Sequence, residues 1–306
     1  MKHQLSRKHH GIRASRADRV FYGVNAVVMA LIFVLYAWPL WFVLIASVSD
    51  PNLVQAGQVL LLPKGFHLGG YKLIAEYQDI LRGYFNSIVY TAVGTALNIV
   101  MTICAAYPLS RSDFLPRKVL TVLFVFTMYF SGGLIPLYLQ VSRLGLLDTF
   151  WSMVLPTCMS AYNMFILRNF MQTIPEALEE SARLDGANDF VIMTRIILPL
   201  CAPSLAAIAM FYGVGYWNNY MNCLLYTNSP SLQVLPLYLR SVLSGAAANA
   251  ISGSGDLSKI GEASSVLTEE TVKMTVVAVS IIPILIMYPY LQRFYTKGIT
   301  VGAVKG

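Results

Sequence analysis

Not one charged side chain occurs between Val20 and Val48. About 20 consecutive apolar residues cross the hydrocarbon core of a bilayer, so this run is predicted to be a transmembrane helix, with Pro39 as its point of kinking. It is also far longer than the apolar region of a cleaved signal peptide. Inside lipid every backbone N–H and C=O has to be paired within the protein, which restricts spanning segments to helices or closed barrels. The pattern then repeats. Further apolar stretches fall at about 86–109, 119–139, 150–170, 196–226 and 274–291. With 56% hydrophobic and only 12% charged residues, the chain is expected to be an all-α polytopic membrane protein of six transmembrane helices.

The charges lie between those stretches, and they are not spread evenly. Residues 1–19 carry Lys2, Arg7, Lys8, Arg13, Arg16 and Arg19 against a single acid, Asp18. Arg111, Arg117 and Lys118 follow the second stretch, Arg168 closes the fourth, and Arg293, Lys297 and Lys305 follow the sixth. The segments at 50–84 and 142–149 have no such excess. Cytoplasmic loops collect Lys and Arg, so both termini are expected in the cytoplasm of a bacterial cell (inner) membrane. The net charge of +7 is accounted for in this way and requires no nucleic acid. The organisation expected is a basic tail at 1–19, a transmembrane domain at 20–295 with its core at about 86–295, an outside loop at about 228–271, and a second cytoplasmic tail at 296–306. Cys104, Cys158, Cys201 and Cys223 all fall in apolar stretches and read as small buried hydrophobes. The four histidines lie outside the stretches, and no metal site is expected.

Between the fourth and fifth stretches lies PEALEESARLDGANDFVIMTRIILP, Pro175 to Pro199. Thr173 and Glu176 have the spacing of a capping box, Pro175 suits a first helical turn, and Glu176, Glu179 and Glu180 suit the positive end of a helix dipole. Leu178, Ala182 and Leu184 are expected to share an apolar flank. Asp185-Gly186 is a turn signal, with Gly186 free to take φ > 0 and to let another surface come close. A second helix resumes at Ala187. The segment at about 173–199 thus reads as a helix–turn–helix elbow at the membrane surface.

Glu180-Ser181-Ala182, then Gly186, then Ile196-x-Leu198-Pro199 resembles the EAA loop of the permease subunits of binding-protein-dependent ABC importers; Ser181 departs from it, where Ala is usual. Ala106-Tyr107-Pro108-Leu109-Ser110-Arg111 and the ending QRFYTKGITVGAVKG are similar to segments of the carbohydrate-uptake branch, the maltose-type and related oligosaccharide permeases. The likeness runs from about Leu68 to Gly306. It implies a type I ABC importer fold in which the elbow is a coupling helix, with Glu176, Glu179, Glu180, Ser181, Ala182, Asp185 and Gly186 set against an ATPase. It further implies a second permease subunit, two ATPase subunits holding ATP and Mg, and an extracytoplasmic solute-binding protein.

The chain's own chemistry agrees with a transporter subunit that is not an enzyme. It has no G-x-x-x-x-G-K-[ST] phosphate loop, so no cofactor is expected on it. The interiors of the stretches hold no Asp, Glu, Lys or Arg, whereas a proton-coupled carrier keeps ionisable groups at depth. A secondary transporter is disfavoured on that ground, and a structural scaffold leaves the elbow spacing without a reason. For the substrate path, Tyr216, Trp217, Asn218, Asn219 and Tyr220 offer aromatic faces and amides suited to a sugar. The same residues also suit an interfacial aromatic belt with helix-packing amides, and both readings stand. A non-sugar solute, an amino acid or peptide, is the alternative cargo.

Overall fold

The computed structural model describes residues 15–76, 78–243 and 269–303, and it is helical throughout apart from loops and turns. Helix α1 (Arg16–Ser47) begins with a capping box: Ser15 Oγ accepts from the amides of Ala17 and Asp18, and Asp18 accepts from the Ser15 amide at 2.8 Å. Its apolar side chains from Val20 to Leu40 point outward, and only its last turn, Ile45 to Ser47, is buried. Short α2 (Pro51–Gln55) and α3 (Gly69–Glu76) lead into α4 (Gln78–Ser110), which starts well before the expected boundary.

Three of the expected spans are broken. The third divides into α5 (Arg117–Tyr129) and α6 (Leu134–Arg143), bent by 115°. The break falls at Ser131-Gly132-Gly133, where Gly133 has φ +87, so these residues turn the chain sharply rather than loosening one end. The fourth divides into α7 (Phe150–Val154), a 3₁₀ turn at Leu155–Thr157 and α8 (Ala161–Met171), bent by 53°. The elbow follows as α9 (Ala177–Leu184) and α10 (Asp189–Ile192), then a π turn at Met193–Ile197 and α11 (Leu198–Leu200). Helix α12 (Ala202–Trp217) leaves it at 81°. Asn218 and Asn219 break the chain again before α13 (Tyr220–Tyr226). Among the described residues, three helices are long and apolar enough to cross a membrane, or up to six if each bent pair is one span.

Within the expected outside loop, α14 (Leu235–Leu243) packs on α4 and on α15 (Glu269–Ala303). Helix α15 carries the backbone helically past the expected start of the tail, to Ala303. The first part of the basic tail and the Ala/Ser/Gly-rich half of the long loop lie outside the described residues. The centre is α4, against which α12 and α8 pack. Its main core joins Tyr107 and Leu109 of α4, Met164 and Leu167 of α8, Ile192 and Ile197 of the elbow's second arm, and Ile208 and Tyr212 of α12. Among the cysteines, Cys201 and Cys223 are buried, Cys158 is half-buried and Cys104 is exposed, so the expected burial holds for two of four.

Candidate functional site

The elbow helix begins later than its sequence suggests. Thr173 Oγ1 donates to Phe170 O at 2.8 Å instead of capping, and Glu176 occupies the cap position in helical conformation without a side-chain bond. Pro175 therefore precedes the helix. The C-terminal end follows its glycine: with Gly186 at φ +82, its amide donates to Arg183 O at 3.0 Å and that of Ala187 to Ala182 O at 2.9 Å. That pair of bonds is a Schellman cap, which satisfies carbonyls the helix would otherwise leave open. Asn188 caps the next helix through its side chain, which accepts from Val191 N at 2.9 Å.

Burial overturns the expected apolar flank. The buried stripe of α9 is Glu179 and Ala182, whereas Leu178 is exposed and Leu184 is 90% exposed. Glu176, Glu180, Ser181, Asp185 and Gly186 also face outward, so five of the seven residues proposed for coupling share the free surface with two leucines. A Cβ built on Gly186 meets nothing within 4 Å, so the chain itself leaves the approach to that turn open.

Glu179 is directed the other way. It is 6% exposed and forms an ion pair with Arg111, the first residue beyond α4. Arg111 is held by more than its carboxylate: its Nε donates to Ser110 Oγ at 2.9 Å, and its guanidinium lies 5.1 Å from the Tyr107 ring centroid. Burial pulls the Arg111 pKa below its usual value, with Tyr107, Asp113, Cys201 and Glu176 acting in the opposite direction; an arginine so shifted is still charged. A second, exposed set of contacts joins the same elements, with Arg183 3.7 Å from Asp113 and 3.1 Å from Asp189.

At the other proposed site the five-residue cluster does not act as one. Tyr216 is buried against α4: its hydroxyl donates to Asn98 Oδ1 at 3.0 Å, with Val154 O at 3.1 Å. Trp217 points to the opposite side, where its indole donates to Ser280 O at 3.1 Å. It lines an apolar crevice of about 500 Å³ between α4, α12 and α15. Asn218 is exposed and bonds back to Val214 O at 2.9 Å, Asn219 caps α13, and the Tyr220 ring lies under Arg240 at 5.1 Å. Only Tyr216 and Asn219 line the polar cavity of this region, about 520 Å³ at the break between α7 and α8.

Sequence reasoning missed the other groups of that cavity. Asn98, Thr157, Ser160, Asn163 and Tyr212 line it. Asn98 Nδ2 donates to Thr157 O at 2.7 Å, Tyr212 OH and Thr102 Oγ1 share a bond of 2.7 Å, and Ser160 N donates to Tyr212 OH at 3.1 Å. Asn163 is 6% exposed and lines the space. The cavity offers uncharged donors and acceptors beside tyrosine rings, a lining that suits a hydroxyl-rich solute. Gly94 makes the lining possible, since a Cβ there would stand 2.4 Å from Tyr216 Cζ. The polar middle of the fourth stretch was the only signal of these residues.

Comparison with known proteins places the geometry in context. Residues 83–301 match the family described as binding-protein-dependent transport system inner membrane component. The polygalacturonan/rhamnogalacturonan transport system permease protein YtcP of Bacillus subtilis is 40% identical over 289 residues, covering 94% of this chain and 98% of that one. The arabinooligosaccharides transport system permease protein AraQ of Halalkalibacterium halodurans is 29% identical over 282 residues, 90% of this chain and 94% of that one. Among solved structures, a chain of a bacterial ABC transporter involved in the import of the acidic polysaccharide alginate superimposes with a TM-score of 0.83. It is 29% identical, with 93% of this chain and 100% of that chain covered.

Proposed function

This chain belongs to the family of binding-protein-dependent transport system inner membrane components, with the all-α fold of type I ABC importer permeases, and from that premise we propose that it is one half of the translocation path of an oligosaccharide importer. In this reading it pairs with a second permease subunit, receives cargo from an extracytoplasmic solute-binding protein, and is driven by two ATPase subunits that hold ATP and Mg. The elbow and both termini face the cytoplasm. The outward apolar side chains of α1 meet lipid or the companion permease.

The observation that carries the coupling role is the free surface of α9. Leu184 is 90% exposed at the rim of a charged, water-facing helix, beside the open turn at Gly186. Large apolar groups exposed together at such a place mark a protein contact. Glu176, Glu180 and Asp185 surround them with negative charge suited to a basic cleft, while Ser181 spends its hydroxyl on Ala177 O at 2.9 Å. Closing of the ATPases on ATP then biases the permease between two arrangements, as any differential binding does. The polar cavity supports a carbohydrate cargo, because hydroxyl-rich solutes are held by convergent neutral hydrogen bonds, and the similar proteins are named for transport of polygalacturonan/rhamnogalacturonan, arabinooligosaccharides and alginate.

The test is uptake by proteoliposomes containing the chain with its co-purified companions, supplied with labelled galacturonate and arabinose oligomers. Uptake is expected to require internal ATP and to be lost in Leu184→Asp, with the ATPase subunits released on purification. Uptake by the isolated chain without ATP, or parental coupling in Leu184→Asp, refutes the assignment.

A further inference from the structure

Glu179 is the acidic residue of the elbow that the docking surface leaves out. It is buried, and it lies on the face of α9 turned toward α4. Helix α9 is continuous in the chain with α8 on one side and α10 on the other, but not with α4. Two ion pairs bridge that gap, Arg111–Glu179 and Asp113–Arg183, and only the first is buried. The exposed pair, at 3.7 Å between half-exposed side chains, is screened and loosely held. Arg111, in contrast, is fixed from several directions: by Ser110 Oγ, by the face of Tyr107, and through its own carbonyl, which accepts from Arg117 at 3.3 Å.

What lies further along α4 gives this connection a purpose. Asn98 and Thr102 are on the same helix, which stays helical through Pro108, and Asn98 is about 20 Å from Arg111 at the rise of an α-helix. Asn98 holds Tyr216, and Thr102 holds Tyr212, both in the wall of the polar cavity. The two neighbouring routes from the elbow differ: α8 reaches the cavity at Ser160 and Asn163 but joins α9 only through the turn at 172–176, and the chain toward α12 passes a π turn and an 81° bend. Helix α4 runs as one element from Ser110 to the cavity wall, where Asn98 and Thr102 hold the two buried tyrosines.

We propose that Arg111 and Glu179 are positioning residues that join the elbow to α4, so that displacement of α9 moves Asn98 and Thr102 and reshapes the polar cavity. This rests on the coupling role given to α9, and it assigns the transmitting contact within the permease, not the docking contact with the ATPase. A neutral residue in place of either partner leaves the other charge buried and alone, and the rigid link is lost. The ATPases still dock, because Leu178, Leu184 and the exposed acids are untouched.

The experiment compares Glu179→Gln, Arg111→Gln and the exchange Arg111→Glu with Glu179→Arg, each assembled with its companions in proteoliposomes. In the single variants the ATPase subunits are expected to co-purify at parental stoichiometry and to hydrolyse ATP within twofold of the parent. Sugar taken up per ATP is expected to fall at least tenfold, and the exchange is expected to recover part of that loss. If a single variant fails to assemble, Arg111→Lys, which keeps the charge but loses the planar fork, is read in the same way. Parental uptake per ATP in Glu179→Gln overturns the proposal. So does a parallel fall of uptake and hydrolysis with the amount of assembled complex, since the pair is then only a staple of the fold. Release of the ATPases would instead count against the docking surface, which Leu184→Asp tests separately.

Discussion

The elbow and the polar cavity are built by opposite means. The elbow is made of contacts between near neighbours: the Schellman bonds at Gly186 and Ala187, the Asn188 cap and the Ser181 bond to Ala177 all close within one or two turns. Its outer face is open to solvent. The cavity joins residues separated by 59, 110 and 118 positions, Asn98 to Thr157, Thr102 to Tyr212 and Asn98 to Tyr216, and most of these groups are buried. A change in the elbow should therefore alter one surface and spare the fold. A change in the cavity should disturb several helices at once.

The largest effect is expected at Gly94. An added methyl would face three atoms of the Tyr216 ring at 2.4–2.7 Å, and that ring is fixed by Asn98, Val154 O and Thr157. Alanine is favoured over glycine in a helix by about 1 kcal/mol, but overpacking a filled site costs about 1–3 kcal/mol, and a rigid ring held at three points belongs at the upper end. Gly94→Ala is predicted to lower thermal stability of the purified complex by about 1–2 kcal/mol net and to reduce uptake more than tenfold. Normal uptake in that variant would show that the cavity wall is far softer than its hydrogen bonds imply.

A smaller effect is expected at Gly186, where backbone and surface are separable. A left-handed residue with a Cβ costs about 1–2 kcal/mol unless it is asparagine, and nothing in this chain blocks the side chain. Gly186→Ala is predicted to lose local stability by about 1 kcal/mol and also substrate-stimulated ATP hydrolysis. Gly186→Asn is predicted to retain stability and still lose stimulated hydrolysis, because its side chain stands where the ATPase must approach. Full stimulation in Gly186→Asn would mean that the glycine serves the cap alone.

The same contrast decides what was legible in the sequence. The turn at Gly186 and the two-helix elbow were readable because capping and turn chemistry act over a few residues. The direction of each side chain was not: Glu179 looked like its neighbours Glu176 and Glu180, and only the position of Arg111, far away in sequence, makes it an internal residue. Apolar stretches located the helices, yet the 115°, 53° and 81° bends depend on packing as well as on glycine and proline. The aromatic and amide cluster at 216–220 was noticed as a unit, but successive residues on a helix point about 100° apart, so Tyr216 and Trp217 serve different cavities. Asn98 stood inside an apolar stretch with no local signal at all.

Elbow and cavity differ in both sequence separation and burial, and Asp148 separates the two. Its carboxylate accepts from Asn228 N at 2.9 Å and from Ser229 N at 2.8 Å and Oγ at 2.5 Å, contacts across 80 residues and more, yet the residue is only half-buried. The side-chain bond from Ser229, then the two backbone bonds, hold its pKa below the ordinary carboxylate value. For a depressed carboxylate the stabilisation is complete above the unfolded-state pKa and is lost as pH falls through the lower folded-state value. The loop staple should thus be unchanged from neutral pH down to the ordinary carboxylate range and weaken only below it. Asp148→Asn keeps the left-handed backbone at φ 55 acceptable but removes the charge and one acceptor. Its uptake at neutral pH is predicted to stay within about twofold of the parent, as expected for a partly exposed contact, while amide exchange at Asn228 and Ser229 becomes faster. If uptake fell as far as in Gly94→Ala, long-range connection alone would set the cost of a change; if only exchange responds, burial does.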